Sequence, residues 1–429
     1  MADSRALRHE LPVSIRHLHL FESVAELNGV RRASEACHLS QPAVTQAIVK
    51  LEHELGVQLL NRCATGTYLN DFGTIFHARC RRFFSQFENA MLELGVPSSL
   101  APLARLVTHI TRPQIRALLA IVEHGSFAAA ARGLKVSQPS LQRAARDLES
   151  ILRTPLYIQT GSGIIAVPAA VEFARRLRVA LREIDLGMDE IAEAQGNASG
   201  GIVIGALLLA GSVVLASVIN ELTNTHPTAR LRILNGNTED ILRHLSHGEV
   251  DLVVGLLQHP GAPGLIHEVL AETPYVVVGR HDHPLMSRSR VTLRDLADYG
   301  WVIGTPGANR RTQFDNMFEG RARPEANVAT CSLPVIRQLL AYSDRLTLLT
   351  SYELMYEGDA LAALPFGPID PSPSIGLTMR DNWLPTQLQM RITALIKERI
   401  IDFLRPLEEL PRQQSPAAQR PQVQGIAGT

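Results

Sequence analysis

The residues best suited to chemistry lie in a short polar run, Ser40-Gln41-Pro42-Ala43-Val44-Thr45-Gln46, with Arg31 and Arg32 before it and Arg62 after it. Amides and hydroxyls together supply donors and acceptors of the kind that meet base edges, and a glutamine can bond adenine at two positions. Ser40 and free backbone N–H groups at a helix start suit a phosphate oxygen. The three arginines suit phosphates or a minor groove. The chemistry these types could support is recognition of duplex DNA, with no bond made or broken. The bland alternative for Gln41 and Thr45 is an ordinary solvated helix face.

Other chemistries find less. His281-x-His283 has ligand-like spacing, but it precedes Pro284 and no third ligand is near, so a structural loop is favoured over a metal site. There is no GxSxG, no GxxxxGK[ST] and no HExxH, and Gly161-x-Gly163 does not complete a GxGxxG fingerprint. Cys37, Cys63, Cys80 and Cys331 show no CxxC spacing, which fits a reducing cytoplasm. No catalytic residues, metal or cofactor are expected, and the chain does not read as an enzyme.

The polar run recurs. Ser137-Gln138-Pro139-Ser140-Leu141-Gln142-Arg143-Ala144-Ala145-Arg146-Asp147-Leu148-Glu149 matches the thirteen residues from Ser40 at six positions, 97 residues later. The offset holds on either side: Phe21 aligns with Leu118, Ala33 with Ala130, and Leu59 with Leu156. Two units of this size mean domain duplication rather than a solenoid.

The elements that must position the run follow from periodicity. Leu18, Phe21 and Ala25 share one helix face. A short helix around Arg31 to His38 packs closely through Ala33, Ser34 and Ala36. Ser40 then caps a third helix, with Pro42 tolerated in its first turn, running to about Leu55 and ended by Gly56. A β-prone stretch follows each unit, Val57 to Leu69 and Pro155 to Val167, suited to a wing hairpin with turns at Gly66 and Gly161/Gly163. Long helices follow, roughly Asp71 to Leu94 and Pro168 to Ala194. The apolar stripe Phe76, Phe83, Phe84 and Phe87 on the first demands a partner, which favours a dimerisation helix over a self-contained core helix.

The chain of 429 residues is too long for one core, with 45% hydrophobic and 20% charged residues and a net charge of +0. Any DNA-binding face must come from local charge asymmetry. The start has no apolar signal core. Ile202 to Ile219 has the length of a membrane span, but Gly205, Gly211 and Ser212 divide it into strand, turn and helix. Val96 to Pro102 and Gln195 to Gly201 read as linkers. From Gly201 the pattern becomes βαβαβ: a strand at 202–205, a helix at 213–225, a strand at 230–234, a helix at 238–247 and a strand at 251–255. A parallel, helix-covered sheet is expected. Further strands fit at 275–279, 301–303 and 346–349, and a last helix at 386–404. The Pro/Gln/Ala-rich tail reads as disordered.

The run from Leu18 through Gly73 resembles the winged helix-turn-helix of LysR-type transcriptional regulators. Its marks are Ala33, Leu39-Ser40-Gln41-Pro42-Ala43-Val44-Thr45, then Leu51-Glu52-x-Glu54-Leu55-Gly56-Val57-x-Leu59-x-x-Arg62, Leu69 and Gly73. The C-terminal half resembles that family's effector domain through Gly200-Gly201-Ile202-Val203-Ile204-Gly205, Gly248-x-x-Asp251-Leu252-x-Val254-Gly255, His281-Asp282-His283-Pro284-Leu285 and Leu296-Ala297-Asp298. The resemblance covers about residues 13–93 and 200–400.

It implies an α/β multi-domain chain: two N-terminal winged helix-turn-helix domains, 13–95 and the divergent 108–196, each with a linker helix. An effector domain at 200–405 follows, built like a periplasmic binding protein from two subdomains, and then the tail at 406–429. DNA contacts are expected at Arg31, Arg32, Ser40, Gln41, Pro42, Ala43, Thr45, Gln46 and Arg62. In the second copy the candidates are Ser137, Gln138, Gln142 and Arg143. There Gln159 replaces Arg62, Arg153 replaces Gly56, and Val167 and Ala170 replace Asn70 and Gly73, so whether it reads DNA or serves as an arm is left open. The implied effector cleft would use Ser212, Asn237 and Thr238 on one wall and Thr305, Arg310, Arg311, Thr330 and Ser332 on the other. Helix N-termini and an arginine favour a small organic anion, such as an aromatic or sugar acid; N-capping is the plain alternative for each hydroxyl. Expected partners are promoter or operator DNA, that effector, further copies as a homodimer or homotetramer, and RNA polymerase if the protein activates, with no membrane. A solute-binding or enzymatic α/β protein with a merely dimerising N-terminus is the opposing reading.

Overall fold

The structure is a computed structural model and describes residues 13–64, 66–96, 103–161, 163–196, 200–207, 212–257, 261–355, 357 and 360–408. The core of each expected linker, the turn after the strand at 202–205 and the tail from 409 lie outside the described residues.

The first copy comprises α1 (Ile15–Leu27), α2 (Val30–Ala36), α3 (Gln41–Leu55), the hairpin β1 (Leu60–Cys63) and β2 (Gly66–Leu69), and α4 (Asp71–Glu93). A helix not anticipated, α5 (Leu103–His109), leads into the second: α6 (Arg112–His124), α7 (Phe127–Leu134), α8 (Gln138–Leu152), β3 (Tyr157–Thr160), β4 (Gly163–Ala166) and α9 (Pro168–Ala194). Both hairpins are antiparallel, Leu60 facing Leu69 and Tyr157 facing Ala166. The helices form where the pattern places them because each carries an apolar face: Leu18, Phe21 and Val24 on α1, and Val44, Ala47, Ile48 and Leu51 on α3, all buried.

The aromatic stripe on α4 finds its partner inside the same chain. Phe76, Phe83, Phe84 and Phe87 are buried, and Phe87 meets Phe173 of α9 with ring centroids 6.2 Å apart. One continuous core runs from Val13 to Ile191 through both copies. Each fully buried aromatic there is worth roughly 1.5–3 kcal/mol. The stripe was expected to await a second molecule; α9 covers it because the duplicated unit brings its own copy of the linker helix.

The C-terminal region begins with β5 (Gly201–Leu207), α10 (Ser212–Thr225), β6 (Arg230–Gly236), α11 (Thr238–Ser246), β7 (Leu252–Leu256) and β8 (Leu265–Glu272). It continues with β9 (Tyr275–Arg280), α12 (Leu293–Ala297), β10 (Val302–Ile303), α13 (Asn309–Met317), β11 (Val328–Ala329) and α14 (Leu333–Ala341). Then come β12 (Thr347–Thr350), α15 (Ser351–Met355), β13 (Leu361–Ala363), β14 (Ser374–Arg380) and α16 (Gln387–Glu408), the last running past the expected boundary at 405. The βαβαβ pattern holds, with β5 parallel to both β6 and β7. The sheet is nevertheless mixed, in the order β6-β5-β7-β14-β8, because β14 runs antiparallel to β7 and β8. Both added strands lie outside the βαβαβ stretch, where no crossover helix announces them.

A second subdomain holds the sheet β12-β9-β13 and the parallel pair β10-β11. The chain passes between subdomains twice, after β8 and before β14. These crossings lie side by side: Thr273 N–H donates to Pro373 O at 2.9 Å, and Thr273 Oγ1 meets Ser351 Oγ at 3.2 Å.

Candidate nucleic-acid interface and ligand cleft

Ser40 has extended backbone, and its Oγ accepts from Ala43 N–H at 3.4 Å to cap α3. Pro42 occupies the first turn, where no intrahelical N–H is needed. Gln41, Pro42 and Gln46 are exposed and Ala43 and Thr45 half-buried, while the opposite face enters the core. The polar run is therefore gathered at one outward helix end. Arg31 and Arg32 are exposed on α2; Arg31 pairs with Glu35 at 3.5 Å, and Arg32 donates to Asn28 O at 3.2 Å. Such exposed pairs are worth little and leave the guanidinium groups available to phosphate. Arg62 is exposed on the wing and lines, with His53, Gln58 and Asn61, an open groove of about 850 Å³ beside the end of α3.

The second copy repeats the arrangement. Ser137 caps α8 by accepting from Ser140 N–H at 3.3 Å, and its hydroxyl meets that of Ser140 at 2.8 Å. Gln138 and Arg143 are exposed and Gln142 half-buried. Arg146 is held by Glu149 at 2.6 Å.

A positioning contact escaped the sequence reading. Glu52 Oε1 accepts from Leu59 N–H at 2.8 Å, tying α3 to the start of the wing. Glu149 does the same for Leu156 at 2.8 Å and also takes Tyr157 N–H at 3.1 Å. The signal was present: this glutamate is among the six residues that both copies keep.

The candidate cleft residues divide by subdomain. Thr305, Thr330 and Ser332 lie just beyond the C-terminal ends of the parallel strands β10 and β11, where Thr305 Oγ1 meets Cys331 Sγ at 3.4 Å and Thr330 Oγ1 accepts from Ser332 N–H at 3.1 Å. Arg310, in the first turn of α13, is only 6% exposed. Its Nη2 donates to both Glu353 oxygens at 3.3 Å, while Nε and Nη1 have no acceptor. Buried donors without acceptors are costly, so this guanidinium has unused capacity for an anion. Nearby, burial and the Glu353 charge push the Tyr275 hydroxyl above its ordinary range, opposed by Arg310. Arg311 differs: it closes onto Asp315 at 2.9 Å. His283 proves structural, its Nδ1 accepting from Leu285 N–H at 3.1 Å and its Nε2 lying 3.2 Å from Asp344 O.

In the first subdomain Asn237 caps α11, accepting from Asp240 N–H at 2.8 Å, with Thr238 beside it. Ser212 opens α10, but its side chain is outside the described residues. Among the described residues no hydrogen bond or ion pair joins Asn237 or Thr238 to the Thr305, Arg310 and Ser332 wall.

A charged network ties the linker helices to the first subdomain. Arg79 of α4, 1% exposed, donates to Glu190 at 2.9 Å and Glu183 at 2.8 Å on α9, and to Leu384 O at 3.0 Å just before α16. Arg82 donates to Glu183 at 3.0 Å and to Asn382 O. Arg182 of α9 pairs with Asp251 at 3.4 Å, whose carboxylate accepts from Val203 N–H of β5 at 2.9 Å.

Among the described residues no group of three or more His, Cys, Asp or Glu could hold a metal, and no helix is long and apolar enough to cross a membrane.

Two family profiles match parts of this chain. The profile of the LysR substrate binding domain matches residues 195–398. That of the bacterial regulatory helix-turn-helix protein, lysR family, matches twice, at 15–74 and 113–170. The chain is 31% identical to the HTH-type transcriptional regulator GalR of Pseudomonas putida, over 92% of this chain and 98% of that one. It is 30% identical to GbpR of Rhizobium radiobacter, over 51% of this chain and 74% of that one. Among solved structures, a full-length OxyR variant from Pseudomonas aeruginosa matches with a TM-score of 0.47 and 19% identity, covering 67% of this chain and 93% of that one.

Proposed function

This chain belongs to the LysR family of transcriptional regulators, and from that premise we propose how its parts divide the work. It is a DNA-binding regulator with a small-molecule effector domain, not an enzyme. The reader is the outward end of α3, with Ser40, Gln41, Pro42, Ala43, Thr45 and Gln46 toward the major groove, and Arg31, Arg32 and Arg62 on phosphate or in the minor groove. The observation that carries this is the capped, exposed polar end of α3 set on a wholly apolar underside. The DNA partner puts its work in the cytoplasm.

The effector is a small organic anion held against Arg310, between Thr305 on one strand end and Thr330 and Ser332 on the next. The buried, unused Nε and Nη1 of Arg310 support an anion over a neutral ligand. Arg311, already neutralised by Asp315, has the lesser part. Closure of the two subdomains about the crossings at Thr273 and Pro373 would displace the second subdomain relative to the first, which Arg79 and Arg82 hold to the linker helices through Leu384 and Asn382. That gives the ligand differential contacts in two arrangements, as any shift of a binding equilibrium requires.

Footprinting of the full chain on DNA upstream of its own gene tests the reading. A protected site, weakened by salt and altered by an organic acid, is expected. Loss of base preference in Gln41→Ala with retained phosphate binding supports the α3 assignment, and an unchanged preference removes it. No protection at low salt, with or without organic acids, would favour the solute-binding alternative.

A further inference from the structure

We infer that one chain carries a complete pair of DNA readers related by a local two-fold, and that its operator consists of two unlike half-sites. The inference rests on the DNA-reading role of α3 proposed above.

The pairing of the linker helices carries it. Shifting by 97 residues maps Arg79 onto Arg176 and Glu93 onto Glu190. The structure pairs Arg79 with Glu190, and Arg176 with Glu93. Each contact is therefore the other with the two copies exchanged, which is the signature of an isologous, two-fold interface. A head-to-tail stack would instead repeat a contact one unit further along the chain. Gly187 on α9 lies against Phe76 and Arg79 on α4, and Phe173 meets Phe87, so close packing reinforces the ion pairs. Beyond the linker helices, Arg112 of α6 donates to Val13 O at 3.0 Å and pairs with Glu54 of α3 at 3.3 Å. The shared core and these ties fix α3 and α8 in one body.

The two readers share a frame and differ in what they present. Ser40 and Ser137 cap alike, and Glu52 and Glu149 clasp the wing alike. The outward residues change: Thr45 becomes Gln142, Gln46 becomes Arg143, Ala43 becomes Ser140 and Arg62 becomes Gln159. Arginine prefers the two acceptors on guanine, whereas glutamine pairs with adenine and a threonine methyl meets the thymine methyl. The half-site under α8 accordingly contains guanine where that under α3 does not, and one chain covers both.

The test selects DNA from a random pool with the full-length protein, then measures affinity and stoichiometry on the selected site and on its two symmetrised versions. An asymmetric site is expected, with one chain per two half-sites whatever the larger assembly, and both symmetrised sites weaker by roughly tenfold or more. Gln46→Ala should relax preference in one half only and Arg143→Ala in the other, each by roughly tenfold; both side chains are exposed, so folding is not at issue. A symmetric site bound at one chain per half-site, or an Arg143→Ala protein with unaltered preference, overturns the inference while leaving α3 as a reader. Failure to select any sequence overturns the DNA-reading proposal itself.

Discussion

The two helix-turn-helix units make a controlled comparison, since each is a variation on one frame inside one chain. What both keep is scaffolding: the serine cap, the glutamate clasp and the wing hairpin. Among what differs, two places bear on reading and packing. One is the outward face of the third helix. The other is the seam where unit and linker helix meet, at Asn70 against Val167 and Gly73 against Ala170. The first copy solves the seam tightly. Asn70 accepts from Gly73 N–H at 2.8 Å, and a Cβ at Gly73 would collide with Leu59 O. The second copy has no side-chain cap there and fits a buried Ala170. Two backbones of one topology thus tolerate different local packing, while the contacts that aim the reading helix do not vary.

The largest effect should separate the two exchange-related arginines. Arg79→Ala strands Glu190 and leaves Glu183 to Arg82 and Gln86 alone in the seam between helices, and loss of one partner of such a buried pair costs about 3–5 kcal/mol. Arg176→Ala removes the mate, where Arg176 is 35% exposed and Glu93 50%, and surface pairs are worth about 0–1 kcal/mol. Denaturant unfolding of both variants measures the gap, and equal losses would break the picture of one buried and one solvated end.

Gly73→Ala should destabilise by roughly 1–3 kcal/mol, because the obstacle is backbone and cannot swing aside. Ala170→Gly should cost about 1 kcal/mol, the helix propensity difference. Thermal melts in parallel check the order, and a neutral Gly73→Ala would show that the first copy is no more tightly packed than the second.

The 97-residue offset also pairs Glu88 with Asp185. Burial raises both carboxyls, and holds Asp185 at about 6 against the opposing charge of Arg182. The folded chain then binds this proton more tightly than the unfolded one. The sign follows: the Asp185 contribution to stability is complete below about pH 4 and is lost as pH rises through about 6. Asp185→Asn should therefore raise Tm above pH 6, with the gain vanishing toward pH 4. A gain that grows on acidification would contradict the assignment.

The smallest effect concerns the helix ends. Gly56 adopts φ 72°, as glycine readily does, whereas Arg153 is held in the same region at φ 48°. Arg153→Gly should stabilise by up to about 1 kcal/mol, read from the denaturation midpoint, while Gly56→Ala should destabilise by a similar amount.

Much of this was legible beforehand, for reasons the residues make plain. Ser40, Pro42 and Gly56 punctuate α3, and its bounds, Gln41 to Leu55, fall where these signals place them. Pro168 to Ala194 likewise becomes α9. The demand of the phenylalanine stripe for a partner was legible too, but not that α9 meets it, since periodicity says that a face is buried and not by what. The exchange of Arg79–Glu190 for Arg176–Glu93 was latent in the 97-residue offset, yet an arginine on a helix reads as solvent-facing until its neighbours are known. Strands β8 and β14 were missed because they pair antiparallel, outside the alternating pattern. Arg380 of β14 is buried by donating to Leu245 O and Val250 O at 2.8 Å, contacts across more than a hundred residues. In the cleft, the sequence offered Arg310 and Arg311 as equals; burial and the Asp315 counter-ion distinguish them.

A footprinting titration of the full-length protein on the DNA upstream of its own gene, with the bound chains counted, tests most directly whether two unlike readers are docked within one regulator chain. Two protected patches of different sequence, filled together at one chain per pair and with only one altered by Arg143→Ala, are expected. A single patch, or two identical patches each holding its own chain, would contradict it.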